Sequence, residues 1–177
     1  MNKTYFFACN HESYFDVPLL FAALPFWIIT VAKKSLSYIP VFGWAVAAGG
    51  TIFVDRASTT KAVKAMKQAE ESLRNRPRSV LVFPEGTRSP DGRIQKFKKG
   101  GLVLAIQADM AIVPIAVIGT HGVVQKGGRA ITARPLHVAI GKPIETAHMT
   151  YDDRDHLCEH LQQEVSRLKH KHQHLVL

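Results

Sequence analysis

The pattern of apolar and polar positions divides the chain into alternating strand-like and helix-like segments. Lys3–Cys9 is rich in Tyr and Phe and reads as a strand. Val17–Leu24 reads as a short helix stopped by Pro25, and Phe26–Ala32 (FWIITVA) as a strongly apolar strand. Ser35–Ala48 reads as a helix broken around Pro40 and Gly43, and Thr51–Val54 as a strand ending at Asp55-Arg56. Ser58 is placed to cap a helix running to Asn75, because Ala62, Val63, Met66, Ala69 and Leu73 recur at helical spacing. Ser79–Phe83 (SVLVF) reads as a buried strand, followed by a polar loop and a helix over Gly101–Ala108. Ala111–Ile118 and Leu136–Ile140 are further strands, and Tyr151–Lys169 is a charged C-terminal helix.

Strands that alternate with helices, and central strands apolar on both faces, predict an α/β fold: one layered domain with a largely parallel central sheet flanked by helices. The 177 residues suffice for one full hydrophobic core and show no internal repeat or linker. Val17–Ala32 and Ile39–Val54 are apolar runs of 16 residues. That is short of the roughly 20 a spanning helix needs, and Pro18 and Pro25 interrupt the first while Pro40 and three glycines interrupt the second, so they read as buried elements. No basic segment followed by a long apolar core marks a secretory signal. Two cysteines, Cys9 and Cys158, make no disulfide framework, and a reducing compartment is expected. The tail KHKHQH reads as a frayed, solvated end rather than a metal site.

Charge changes this picture because it is localised. Between Arg56 and Lys99 stand twelve Lys or Arg against Glu70, Glu71, Glu85 and Asp91, a net +8 of the chain's +9. Such a field attracts anionic partners, among them phosphates, acidic proteins and an anionic membrane surface. Nucleic acid is not expected, since no recognised motif and no aromatic-basic interleaving accompanies the charge.

The candidate chemistry begins in CNHESYFDVP, residues 9–18. Ser13 and Asp16 have the spacing of a capping box, but a helix opened at Ser13 would place Pro18 where an N–H is needed. The helix is therefore expected to begin at Asp16 or Val17, with His11 on the turn before it. In a continuous helix residues five apart point about 140° apart and cannot meet. Across a strand-turn-helix junction His11 and Asp16 can meet, and an Asp that holds one imidazole nitrogen leaves the other as a base. Three schemes fit these residues. A Ser13-His11-Asp16 triad has little freedom to align, and the chain has no G-x-S-x-G elbow. A Cys9-His11 pair on one strand face could form a thioester. In the third, His11 deprotonates a hydroxyl of a bound substrate and no protein nucleophile is needed.

FPEGTRSPDGR, from Phe83, favours the third scheme. A buried strand ends at Pro84 and the chain turns at Glu85-Gly86. Gly86 lets backbone N–H groups approach a phosphate, and Arg88 can grip phosphate oxygens with two parallel hydrogen bonds. Lys96, Lys98 and Lys99, just before a helix opening at Gly100-Gly101, predict a second anion site.

NHESYFD resembles the N-H-x-S-x-x-D block of the glycerolipid acyltransferases, the family of lysophosphatidic acid acyltransferases. GGTIFVDR (Gly49–Arg56) resembles the second block of that family, FPEGTRS (Phe83–Ser89) the third almost letter for letter, and IVPIAV (Ile112–Val117) the fourth. The resemblance implies transfer of a fatty acyl group from a carrier thioester, acyl-CoA or acyl carrier protein, to the free hydroxyl of lysophosphatidate, giving phosphatidate. It implies His11 as the base and Asp16 as its orienting partner. It places Arg56, Glu85, Gly86, Thr87 and Arg88 around the acceptor and its phosphate, with Pro114 shaping the pocket and no metal or other cofactor. The expected setting for this chain is the cytoplasmic face of the cell membrane, held peripherally.

Two departures stand out. Family members usually carry a membrane-embedded segment before the first block, whereas Asn10 here follows nine residues. That leaves either a shortened chain or one that meets the membrane only through its surface. The fourth block often has a second proline two residues after the first, where this chain has Ala116. The alternatives to lysophosphatidate are another lysolipid or glycerol 3-phosphate, and the alternative to an enzyme is a non-catalytic module that binds anionic lipid.

Overall fold

The structure is a computed structural model, and it describes residues 3–25, 27–38, 44, 47, 50–54, 68–73, 75–123 and 131–176. The described elements are β1 (Phe6–Cys9), α1 (Asp16–Ala23), β2 (Ile28–Lys33), a 3₁₀ turn (Lys34–Tyr38), β3 (Ile52–Val54), a helical stretch over 68–73 and β4 (Ser79–Val82). They continue with α2 (Gly100–Gln107), β5 (Ile112–Ile118), a 3₁₀ turn (Thr120–Gly122), β6 (His137–Ile140), a 3₁₀ turn (Tyr151–Asp153) that leads into α3 (Arg154–His172), and a last 3₁₀ turn (Gln173–Val176). The alternation expected from the apolar pattern is present. Gly49, Asp55, Arg56, most of the predicted broken helix and most of the Ser58-capped helix lie outside the described residues.

One six-stranded sheet runs in the order β3-β2-β4-β1-β5-β6, parallel throughout except for β6, which pairs antiparallel with β5. The central strand β1 pairs Phe6 with Val80 on one side and with Ile112 on the other. Every residue of β1 is at most 2 % exposed, which explains why this stretch carries apolar side chains without alternation. On one face Phe7, Cys9, Leu81, Val113 and Ile115 pack against Leu20 and Leu24 of α1. On the other, Phe6, Val80, Ile112 and Ile118 join Leu102 of α2 and Leu157, Leu161 and Val165 of α3. Truncating a side chain as enclosed as Leu161 to Ala would cost about 2–5 kcal/mol, from lost transfer energy and the cavity left behind.

The chain path fixes where a site can form. From β1 the chain passes over β4 to β2, with α1 on one face. From β4 it passes over β1 to β5, with α2 on the other face. Right-handed crossovers that leave in opposite directions must lie on opposite faces. The loops after β1 and β4 therefore separate above the carboxyl ends of two adjacent strands, the place where open α/β sheets bind ligands. His11–Asp16 and Phe83–Ser89 occupy those two loops. Among the described residues no helix is long and apolar enough to cross a membrane.

The C-terminus differs from its expectation. The helix continues to His172, whose ring stacks on His137 of β6 at 5.2 Å, and Val176 is buried. The end of the chain is thus held at His172 and Val176, while His170, Lys171, Gln173 and His174 between and beside them stay exposed.

Candidate active site

The first loop starts with a side chain that acts as backbone. Where β1 ends, Asn10 Oδ1 accepts the Val117 N–H at 2.8 Å and Asn10 Nδ2 donates to the Val117 carbonyl at 2.9 Å. The amide thus extends the ladder to β5 by one step while its own main chain turns away. The turn runs through Glu12 and Ser13, and α1 opens at Asp16 after Phe15, with Pro18 in the first turn where no N–H partner is required. No capping box forms. Asp16 instead folds back into the turn, where Oδ2 accepts the N–H of Glu12 at 2.7 Å and of Ser13 at 2.9 Å.

The same oxygen lies 2.7 Å from His11 Nδ1. Asp16 is fully buried and the His11 side chain is 20 % exposed. Because the carboxylate is surrounded by donors, Nδ1 is assigned the proton, and Nε2 is the nitrogen left as an acceptor. The imidazole stacks on Phe83 at the end of β4, with ring centroids 4.0 Å apart and planes 22° apart. Asp16 Oδ1 takes the Thr120 hydroxyl at 2.5 Å.

The second loop is bound to the first through the main chain. Glu85 Oε1 accepts the His11 N–H at 2.7 Å, Glu85 Oε2 accepts the Gln95 N–H at 3.0 Å, and the Ser89 N–H donates to the His11 carbonyl at 2.7 Å. Glu85 is 2 % exposed, and burial pushes its carboxyl above the usual carboxylate range, against the pull of the two N–H groups. Glu85 is turned inward, behind His11, with an N–H on each oxygen. Gly86 has φ +76 and directs its N–H to the Phe83 carbonyl at 3.0 Å, so that donor closes the turn rather than facing outward. Thr87 is exposed beside it. Arg88 reaches across to the first loop, with its guanidinium 3.6 Å from the Tyr14 ring and Nη2 donating to the Tyr14 hydroxyl at 2.9 Å.

Lys99 is the residue before α2 and pairs with Asp155 of α3 at 2.5 Å. Lys96 and Lys98 are exposed, and Phe97 between them is buried with its N–H on Gln162 of α3. This strip is drawn to α3, a partner that its local charge does not reveal. Pro114 is buried within β5 beside Ala8, and a Cβ added at Gly141 would lie 2.9 Å from its ring. It is a packing residue of the sheet. Arg56 lies outside the described residues.

Neither side-chain nucleophile is well placed. Cys9 is completely buried, and desolvation, then the nearby Asp16 charge, push its thiol well above its ordinary value, so thiolate is scarce. Ser13 is 1 % exposed, and its Oγ accepts the Phe15 N–H at 3.4 Å rather than facing His11. What stands at the mouth is an oriented imidazole.

Several residues of this site are absent from the sequence reading. Asn10 was visible only as a motif letter. Glu12 is buried and accepts Asn10 Nδ2 at 2.9 Å, the His121 N–H at 3.4 Å, and Lys169 Nζ. Lys169, from α3, also donates to the Gly92 carbonyl, so one ammonium joins both loops. Burial raises the Glu12 carboxyl and the Lys169 charge works against that.

Comparison with known proteins places these loops in context. Residues 2–118 match the family described as Acyltransferase. The chain is 31 % identical over 158 residues to the 1-acyl-sn-glycerol-3-phosphate acyltransferase of Cocos nucifera, covering 89 % of this chain and 51 % of that protein. It is 36 % identical over 152 residues to the Saccharomyces cerevisiae protein of the same name, covering 85 % and 50 %. The crystal structure of the 1-acyl-sn-glycerophosphate acyltransferase PlsC from Thermotoga maritima superposes with a TM-score of 0.77 at 29 % identity, covering 96 % of this chain and 68 % of that one. The chain spans about half the length of the curated relatives it matches. With two thirds of its length inside the family match and the His11-Asp16 pair within it, this chain belongs to the acyltransferase family.

Proposed function

We propose that this chain transfers a fatty acyl group from a thioester donor to the free hydroxyl of lysophosphatidate, giving phosphatidate in phospholipid synthesis. The observation that carries the reading is His11, held through Nδ1 by a buried carboxylate at 2.7 Å, with no competent protein nucleophile beside it among the described residues. The names of the relatives supply the substrate class. In this scheme His11 Nε2 takes the proton of the acceptor hydroxyl while that oxygen attacks the thioester carbonyl. The tetrahedral intermediate collapses, the C–S bond breaks, and the proton passes from His11 to the leaving sulfur. One C–O bond replaces one C–S bond, and the donor's own thioester is the activated group, with no cofactor in the scheme.

Either acyl-CoA or acyl carrier protein fits as donor, since both are acidic and the chain is basic. We place the protein at the cytoplasmic face of the membrane, held peripherally. The support is an apolar surface next to the site: Pro18, Phe21, Ala22 and Ala23 of α1 are exposed, and Trp27 beyond it is 74 % exposed. The test is a panel of acyl-CoA and acyl carrier protein donors against lysophosphatidate, other lysolipids and glycerol 3-phosphate, with products identified by mass. Donor consumption that depends on lysophosphatidate and yields phosphatidate supports the reading. Preference for another acceptor replaces the substrate, and vesicle binding with no product from any pair replaces the enzyme with a lipid-binding module.

A further inference from the structure

The turn that carries Asp16 uses only one of its carboxylate oxygens. Oδ2 accepts two backbone N–H groups and faces His11, all from residues 11–13. Oδ1 is served from elsewhere, by the Thr120 hydroxyl 104 residues away at 2.5 Å. Thr120 is fully buried and lies beyond the region matched to the family. From this geometry we propose that Thr120 is a positioning residue of the active site, which fixes the Asp16 carboxylate so that His11 keeps its proton on Nδ1 and presents Nε2 to the acceptor hydroxyl. The inference rests on the acyl-transfer reading for its kinetic consequence and on the geometry alone for its tautomer consequence.

The main chain is built to deliver this hydroxyl. Gly119 ends β5 with φ +93, a conformation that L side chains rarely adopt, and a Cβ there would lie 2.7 Å from the Pro135 carbonyl. The chain then closes a short 3₁₀ turn over Thr120–Gly122, with the Val123 N–H on the Thr120 carbonyl at 3.0 Å. Around it, Val117 is bonded on both its backbone groups by Asn10, and the His121 N–H reaches Glu12 at 3.4 Å. The end of β5 and the turn after it therefore grip the first loop at Val117, Thr120 and His121, and Thr120 is the one that touches the carboxylate. Without its donor, Oδ1 would be a buried acceptor with no partner, and the carboxylate would be free to turn about its Cβ–Cγ bond. An Asp that turns no longer selects one imidazole tautomer.

The test compares Thr120→Val, which keeps the shape and removes the donor, with Thr120→Ser, which keeps the donor. Thr120→Ala repeats the deletion in a smaller side chain should Val fail to fold. Steady-state kinetics use lysophosphatidate and the donor found by the panel, and imidazole nitrogen NMR reads the His11 tautomer without any substrate. Thr120→Val and Thr120→Ala should lower kcat about 10–100-fold, the size of effect seen when an outer partner that orients a functional imidazole at a metal site is removed. KM for both substrates should stay within about twofold, and Thr120→Ser should recover most of the rate. The spectrum should gain an Nε2–H population in the Val and Ala forms only. Wild-type kcat in a folded Val or Ala variant, a Ser variant as slow as Val, or an unchanged tautomer would each overturn the proposal. If the wild type transfers no acyl group, the functional reading fails, and the tautomer still decides the role of Thr120.

Discussion

The guanidinium of Arg88 lies 3.6 Å from the ring of Tyr14 and donates to its hydroxyl at 2.9 Å, so the two loops of the site touch at their exposed tips as well as at their bases. Tyr14 is 68 % exposed, and a stack at such a site contributes about 0.5–1 kcal/mol. That biases the planar group toward one orientation by a factor of about 2–5. A guanidinium has five N–H donors and this contact uses one, so a phosphate can be gripped without breaking the stack.

Arg88→Lys keeps the charge and loses both the stack and the two-point grip. It should weaken use of lysophosphatidate by roughly 2 kcal/mol or more in kcat/KM and leave the donor's apparent affinity nearly unchanged. Tyr14→Phe keeps the ring and should show a smaller loss of the same kind. An acceptor that lacks phosphate should be poor for all three proteins. A loss confined to the donor would move Arg88 to the carrier's phosphates.

His11→Ala should lower the rate about 10²–10⁴-fold through loss of the general base. Asp16→Asn should lower the rate heavily too, since an amide in place of the carboxylate favours the wrong tautomer. Asp16 also accepts two N–H groups of its own turn and the Thr120 hydroxyl, so Asp16→Asn should lose stability where His11→Ala does not. Urea midpoints measured beside the kinetics separate the two effects. Near-normal transfer by folded His11→Ala would remove the base from the mechanism.

The contrast between these residues marks what a sequence can and cannot carry. His11 and Asp16 were legible together because their spacing and Pro18 are local facts that force the turn. The strands were legible for the same reason, since burial on both faces writes itself into a short apolar run. Strand starts were less so: the ladder of β1 opens at Phe6, where Val80 and Ile112 become available, not at Lys3. Glu85 was found but its direction was not, because a carboxylate in an anion-binding turn faces in or out according to partners elsewhere. Its partners are two main-chain N–H groups, one of them 74 residues away. Asn10, Thr120 and Lys169 act through contacts 107, 104 and 157 residues apart, which no local pattern encodes. The Lys96–Lys99 strip shows the same limit, since its local charge is conspicuous while the pairing of Lys99 with Asp155, 56 residues away, is not.

Cys9→Ala and Ser13→Ala should each retain most of the activity. Cys9 sits in the core beneath α1 and Ser13 faces its own turn, so modest losses of stability are expected in place of lost chemistry. Mass spectrometry of protein quenched with donor alone should show no acyl adduct. A stoichiometric adduct on either side chain would replace direct transfer with a covalent intermediate.

Vesicle binding should have two separable parts. Basic residues near an anionic surface contribute about 1 kcal/mol each and are screened by salt. The exposed apolar positions of α1 and Trp27 are not screened. Binding to anionic vesicles should therefore fall as salt rises to a remainder shared with neutral vesicles. Phe21→Glu combined with Trp27→Glu should abolish that remainder. If the remainder survives the double change, the anchor lies outside α1 and Trp27.

Lys169 and Glu12 set the last expectation, because they form a buried pair under the first loop, 16 % and 4 % exposed in their side chains. Breaking such a pair by removing one partner typically costs about 3–5 kcal/mol, since the other charge stays buried without compensation. Lys169→Met should therefore destabilise the protein strongly at neutral pH and slow transfer by disturbing Glu12, which neighbours His11 in the turn. Burial already raises the Glu12 carboxyl above its ordinary value of 4.5, and the Lys169 charge opposes that rise. A raised acid binds its proton more tightly in the folded state than in the unfolded one. Its contribution to stability is therefore fully present below the unfolded value and is lost as pH rises through the folded one. Without Lys169 the folded value moves higher still, so the loss at neutral pH grows. The gap between Lys169→Met and wild type should be widest near neutrality and should narrow on acidification toward 4.5. Adding Glu12→Gln to Lys169→Met removes the stranded charge and should recover much of the stability at pH 7. Denaturant midpoints across the pH range for the single and double variants check this. A gap that does not change with pH, or a double variant no more stable than Lys169→Met, would mean that the ammonium acts on Gly92 and the second loop rather than through the charge of Glu12.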